Sequence, residues 1–258
     1  MDSVSLSAAL RDVPLGGLRF LKTIGSTNDE AHSWAAGGAP DLSLVIADEQ
    51  TAGRGRLGRK WSTPAGTALA FSLILRPTPA ERIHPARVTG LGALALTDSL
   101  QTMGLKPQIK WPNDVLLNER KFAGVLVESI WSGPTLEAFI LGIGANVSPG
   151  SVPPASKVQF PATSIESEGG RGVDRVALLQ GILRETLNWR SRLGTDEFIE
   201  KWGESLAFRG RQVQVWRTEE TLITGEVAGL EADGSLVIRT RDGARRPVQF
   251  GEIHLRPA

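Results

Sequence analysis

Gly53 to Trp61 reads G-R-G-R-L-G-R-K-W, which places three glycines, three arginines, a lysine and a tryptophan in one turn-prone run. Glycine lets a backbone approach a ligand closely, and arginine offers planar, permanently charged forks suited to carboxylate and phosphate oxygens. The run reads as an anion clamp. Its glycines fit G-x-G-x-x-G, but that dinucleotide fingerprint needs a following helix and an acidic residue about twenty positions on. Here Ser62-Thr63-Pro64-Ala65-Gly66 leads into an apolar, strand-like run, with Arg76 near the place of the acid. The P-loop spacing also fails, because no glycine precedes Lys and then Ser or Thr at the required distance.

Ile109 to Asn118, I-K-W-P-N-D-V-L-L-N, is a second such stretch. Pro112 biases Trp111 toward extended backbone, and Asn113-Asp114 is a turn former. Lys110, Trp111, Asn113 and Asp114 bring a cation, a flat ring, an amide and a carboxylate into one bend. Further on, Lys121-Phe122-Ala123-Gly124 sets a lysine on a strand near a glycine, and simple alternation puts Lys121 and Ala123 on one face. Glycine inside a strand often marks close ligand approach. Ser26-Thr27-Asn28 opens a helix, where free N–H groups face a polar ligand. Thr27 with Glu30 also fits a capping box.

These residues need rigid carriers. Gly17 to Ile24 reads as a strand, Gly25 to Ala36 as a turn into a helix stopped by Gly37-Gly38, and Leu42 to Asp48 as a buried strand. The last delivers the chain through Gln50 into the arginine-glycine loop. Thr67 to Leu75 is the next strand, and Pro85 to Met103 is a helix stopped by Gly104. Val115 to Leu117 and Lys121 to Ser129 form a hairpin, and Leu136 to Ala145 is a strand ending near Asn146. Ser148 to Pro161 is a Pro-rich loop. Asp174 caps a helix to Arg192, and Thr195 to Ser205 is another. From about Arg209, Gln212–Trp216, Thr221–Leu230, Ser235–Thr240 and Arg245–Phe250 alternate as short strands, suggesting a small β-barrel.

Composition narrows the options. The 258 residues suffice for a large and a small domain. The formal net charge of +1 gives no global attraction to DNA or membrane. Cysteine is absent, so disulfides, thiolate metal sites and thiol nucleophiles are excluded. His32, His84 and His254 are scattered. No run reaches the length of a membrane span, and a cytoplasmic location is the expectation.

Collected in one pocket, Arg54, Arg56, Arg59, Lys60, Lys110 and Lys121 would neutralise anions. Trp61 or Trp111 could stack on a flat ring, and Gln50, Asn28, Asn113 and Asn146 could fix polar groups. No nucleophile stands beside a histidine. The set favours attack of a carboxylate on the α-phosphate of ATP, a step served by charge neutralisation and alignment.

Gly53 to Trp61, Lys110 to Val115, Lys121 to Glu128 and Gly142 to Val147 together resemble the bacterial biotin protein ligases, and Ser26-Thr27-Asn28 and Ala162-Thr163-Ser164 add to the likeness. It runs from about Leu15 to the end. The resemblance implies an α+β fold, a mixed sheet flanked by helices and akin to class II aminoacyl-tRNA synthetases, over residues 15–207. A 1–14 arm precedes it and an SH3-like barrel at 208–258 follows. It also implies ATP, biotin and Mg²⁺, formation of biotinyl-5′-AMP, and transfer to a lysine of a biotin carboxyl carrier domain.

By the same resemblance, Ser26, Thr27, Asn28 and Gln50 would hold polar atoms of biotin, while Gly53, Arg54, Arg56 and Gly124 line its site. Lys121 would hold the biotin carboxylate and then the anhydride, with Arg54 and Asp114 also catalytic. Asp114 would orient magnesium or the acceptor lysine. Arg56, Arg59, Trp61, Lys110, Asn113 and Asn146 would serve the nucleotide, with Trp61 stacking on adenine. About fourteen residues precede the match, so a ligase without the DNA-binding repressor function of bifunctional relatives is expected. Members often dimerise through the sheet, so monomer and homodimer are both open.

Overall fold

The computed structural model describes residues 1–217, 220–249 and 253–257. The first residues, expected as an arm, form helix α1 (Ser3–Ala9), capped by the Asp2 carboxylate on the amides of Val4 and Ser5. Leu6, Leu10 and Val13 are buried. So short a helix persists because it packs on the body, not through its own propensity.

Strand β1 (Gly17–Ile24) runs parallel to β2 (Ser43–Gln50), with α2 (Thr27–Ala36) as the crossover. Then follow β3 (Ala68–Leu75), α3 (Pro79–Ile83), α4 (Arg87–Gln101), β4 (Gln108–Lys110), β5 (Asp114–Leu117), β6 (Arg120–Ser132) and β7 (Thr135–Asn146). They build a mixed seven-stranded sheet in the order β1-β2-β3-β7-β6-β5-β4. Every residue of β3 is buried, as a central strand covered on both faces requires, which explains an apolar run broken only by Ser72.

Helix α2 lies on one face, against β2, β3 and β7, and α4 lies on the other. Gly92 lets α4 come close, since a Cβ there would meet Val125 and Leu141 methyls at 2.9 Å. The layers are completed by α5 (Ile165–Gly169), α6 (Arg175–Arg190), capped by Asp174, and α7 (Asp196–Glu204). Helix α6 packs on α4 and carries α1, whose Ala9 carbonyl accepts from Gln180 Nε2 at 2.8 Å.

The tail forms β8 (Gln212–Arg217), β9 (Glu220–Leu230), β10 (Leu236–Arg239), β11 (Arg245–Val248) and β12 (Ile253–Pro257). The expected barrel is not closed: among the described residues the order is β11-β10-β9-β8-β12, an open antiparallel sheet. Strand β11 is four residues long and pairs throughout with β10, and it stands at one edge of the sheet with β12 at the other. Phe250, expected to end a strand, lies outside the described residues, as does the side chain of His254.

Arg87 and Trp111 join the tail to the body. Arg87, 2% exposed, donates from Nε and Nη2 to the Ala232 carbonyl at 3.0 and 2.5 Å and from Nη1 to that of Leu193 at 2.7 Å. Trp111 Nε1 donates to the Gly234 carbonyl at 3.0 Å. Arg87→Ala would leave those buried carbonyls unpaired, so it should lower unfolding stability by about 2–3 kcal/mol. Denaturant titration measures this, and limited proteolysis should cut faster near Arg209 to Arg211. An unchanged midpoint and unchanged cleavage would refute it.

Candidate active site

The face of the sheet turned toward α2 is bare where β6 and β7 cross the middle. Alternation along β7 sends Leu141, Ile143 and Ala145 into the core and leaves Gly142, Gly144 and Asn146 on the other side. A Cβ on Gly142 would stand 2.1 Å from Asn28 Oδ1, and one on Gly144 2.5 Å from the Trp61 indole. The glycines thus form a floor on which Asn28 and Trp61 rest. Trp61 Nε1 is buried and has no hydrogen-bond partner within the protein.

The start of α2 makes one end wall. Thr27 does not cap the helix with Glu30: Ser26 is the N-cap and makes no side-chain cap bond. Instead Gln50 Oε1 accepts from the Thr27 amide at 2.7 Å and from Thr27 Oγ1 at 3.0 Å, while Gln50 Nε2 donates to Thr63 Oγ1 at 3.1 Å. Glu30 pairs with Arg19. The helix is capped from the root of the loop because β2 ends beside it. Ser72 Oγ donates to Asn28 Oδ1 at 2.6 Å, and Asn28 Nδ2 donates to Glu128 at 2.7 Å.

Asp114 sits between two lysines. Its Oδ1 is 2.6 Å from Lys121 Nζ, and its Oδ2 is 3.5 Å from Lys110 Nζ. Lys121 and Ala123 were expected on one face. The β5–β6 register instead shifts, pairing Leu116 with Lys121 and Val115 with Ala123. The extra residue, Phe122, enters the core, and the bulge reverses the alternation. Lys121 therefore shares its face with Gly124, whose Cβ would lie 3.4 Å from Lys121 Cε and Nζ.

Burial pushes the Lys110 ammonium below its ordinary value, and Asp114 opposes that shift. Burial alone would raise the Asp114 carboxyl, but Lys121 and Lys110 hold it below the usual carboxylate range. Its contribution to stability is therefore intact above that range and lost as pH falls below it. Asp114→Asn removes the partner that raises Lys110. If Lys110 must be charged to hold an anion, the alkaline limb of anion binding in the cavity should move to lower pH in the variant. A superimposable pH profile would argue against this pairing.

The arginine-glycine loop is a narrow hairpin. Gly55 donates to the Arg59 carbonyl at 2.7 Å and Trp61 to that of Gly53 at 2.9 Å. Leu57 and Gly58 turn it at φ of 60° and 69°. Protein carboxylates answer part of its charge: Arg54 Nη2 lies 2.5 Å from Asp29 and 3.2 Å from Glu128. Arg56 Nη1 donates to Asn113 Oδ1 at 3.1 Å, and Asn113 Nδ2 donates to the Val125 carbonyl at 3.0 Å.

These walls enclose about 390 Å³, lined by Ser26, Thr27, Asn28, Gln50, Arg54, Arg56, Arg59, Trp61, Lys110, Asn113, Asp114, Lys121, Gly124 and Asn146. Gly53 stays behind the wall, where a Cβ would meet Gln50 and the Trp61 carbonyl. Trp111 is not a stacking platform, because its ring is 1% exposed and tied to the tail. Sequence reasoning missed Lys157 and Phe160, which bring the Pro-rich segment to the cavity, and Phe160 lies 4.7 Å from Lys110 Nζ. It also missed Asp29, Ser72 and Glu128 as anchors. Lysines and arginines far outnumber the lining carboxylate, Asp114, so the cavity favours anions.

Such a floor, with polar groups at one end and cations at the other, suits a ligand that carries polar atoms at one end and negative charge at the other. The Biotin/lipoate A/B protein ligase family matches residues 20–146, and the biotin protein ligase C terminal domain matches 208–256. The biotin--[acetyl-CoA-carboxylase] ligase of Paracoccus denitrificans is 37% identical over 237 residues, covering 88% of this chain and 96% of that protein. The bifunctional ligase/repressor BirA of Bacillus subtilis is 33% identical over 234 residues, covering 89% and 71%. The Aquifex aeolicus biotin protein ligase, solved in complex with biotin and ATP, superposes with a TM-score of 0.80 at 30% identity, covering 94% and 99%. The chain belongs to the biotin protein ligase family and is a ligase that uses biotin and ATP.

Proposed function

We propose that this chain makes biotinyl-5′-AMP and passes the acyl group to one lysine of a biotin carboxyl carrier domain. A biotin carboxylate oxygen attacks the α-phosphorus of ATP, the bond to the bridging β-phosphate oxygen breaks, and pyrophosphate leaves. The neutral amine of the carrier lysine then attacks the acyl carbonyl. AMP leaves with the bonding electrons of the acyl–oxygen bond, and the surplus amine proton goes to solvent.

The carrying observation is the Lys110–Asp114–Lys121 cluster between the α2 end and the Arg56–Asn113–Asn146 end of one cavity. Ser26, Thr27, Asn28 and Gln50 hold biotin's polar atoms. Lys121 bridges the carboxylate and the anhydride, aided by Arg54. Gly53 and Gly124 shape the loop root and floor, and Arg56 reaches toward the anhydride. Lys110, Arg59, Asn113 and Asn146 serve the nucleotide beside Trp61. Magnesium fits as a companion of ATP, since Asp114 brings a carboxylate, a hard oxygen donor, to the cavity lining. Nucleotide phosphates would supply most of its ligands, with Asp114 able to turn to it or to the acceptor lysine. The ion would neutralise charge on the leaving pyrophosphate.

The domain limits 15–207 and 208–258 belong to the same reading, supported by the change from the mixed sheet to the tail sheet. So does action without DNA, which the formal net charge of +1 supports. Salt-sensitive, sequence-selective DNA binding by the 258-residue protein would overturn that part. The main test is mass spectrometry of a carrier domain incubated with this protein, biotin and MgATP. One biotin adduct on one lysine is expected, and an unmodified carrier overturns the transfer step. Substituting lipoate should give no adduct.

A further inference from the structure

Glu168 lies outside the cavity lining, yet its side chain is 4% exposed and gathers three donors. Arg120 Nη2 approaches Oε1 at 2.5 Å, Asn118 Nδ2 donates to Oε2 at 2.6 Å, and Thr163 Oγ1 donates to Oε1. Asn118 and Arg120 belong to the hairpin that leads into Lys121, and Thr163 belongs to the chain returning from the Pro-rich segment. The carboxylate therefore ties two segments that are distant in sequence.

Those segments meet at Lys121. Strand β7 ends at Asn146, and its pairing with β6 begins at Ala123–Ala145, so β7 gives Lys121 no partner. Residues 161–163 take its place: the Lys121 amide donates to the Pro161 carbonyl at 2.7 Å, and the Lys121 carbonyl accepts from the Thr163 amide at 2.9 Å. The Thr163 carbonyl accepts from Asn146 Nδ2 at 3.0 Å, closing the joint with the end of β7. One short patch thus fixes the backbone of Lys121 and the amide of Asn146. We infer that Glu168 is a positioning residue, holding Lys121 and Asn146 in mutual register through Thr163 while touching neither substrate.

The activity arm of the test rests on the proposed adenylation, and the structural arm does not. Glu168→Gln in the full chain removes the charge that draws Arg120. Biotin-dependent ATP–pyrophosphate exchange should then lose about tenfold in kcat, with the KM for ATP changed much less, because a small displacement of an aligned group costs chiefly the chemical step. Hydrogen exchange followed by mass spectrometry should show faster exchange confined to peptides covering 118–124 and 160–164. Thr163→Val, which removes one donor, should move both readouts in the same direction by less, and it serves if Glu168→Gln fails to fold. Unchanged kcat, or loss of activity with faster exchange throughout the chain, would overturn the inference. If the wild type catalyses no exchange, the adenylation reading fails, while local exchange still tests the tie between Glu168 and Lys121.

Discussion

Lys121→Ala should lower biotin-dependent ATP–pyrophosphate exchange by about 10²- to 10³-fold, the range for removing one preorganised group that meets developing charge. Lys121 is the cavity ammonium on the floor itself, 5.5 Å from the Trp61 ring and paired with Asp114. Its backbone is held on both sides, and Asp114 holds the ammonium at 2.6 Å. The loss should fall on kcat and kcat/KM together, as for a contact strengthened in the transition state. Arg should not rescue it, because a planar fork cannot replace a compact ammonium beside Gly124. The fold should tolerate the change, since Lys110 still answers Asp114. Exchange retained within about threefold of wild type would remove Lys121 from its proposed role.

The parts of this site legible in the sequence are those whose residue types carry chemistry alone. Arginine interleaved with glycine announces an anion loop, and Lys110 to Asp114 packs too many functional groups for a connector. Strand β3 and helix α6 were legible for another reason: burial on both faces and a capped apolar periodicity both leave local traces. What stayed hidden depends on register. Alternation puts Lys121 with Ala123, and the inserted Phe122 puts it with Gly124 instead. Trp61 and Trp111 look alike beside their cations, but the Gly234 carbonyl, more than a hundred residues later, decides that Trp111 is an anchor. Glu128 and Glu168 are ordinary surface letters until the fold brings Asn28 to the first and Asn118 and Arg120 to the second. Helix α1 carries too few residues to declare itself, and only its docked leucines make it stable.

Gly142→Ala should raise the KM for biotin by about 10²-fold, the loss expected when displaced polar groups forfeit about 2–3 kcal/mol of hydrogen bonding to the ligand. The added methyl would stand 2.1 Å from Asn28 Oδ1 and 2.9 Å from its Cγ. Asn28 has nowhere to retreat: it is 5% exposed, held by Ser72 on one side and Glu128 on the other. Its displacement therefore breaks the wall assigned to biotin, while overpacking costs the fold about 1–3 kcal/mol. Neighbouring glycines supply a graded control. Gly144→Ala would press on the Trp61 ring from 2.5 Å and should be the next most harmful. Gly124→Ala meets Lys121 at 3.4 Å, at the end of a flexible side chain, and should be the mildest. Biotin titrations of the three variants, each checked for its melting temperature, give the order directly. A Gly142 variant that binds biotin as the wild type does would mean that the floor does not position biotin through Asn28.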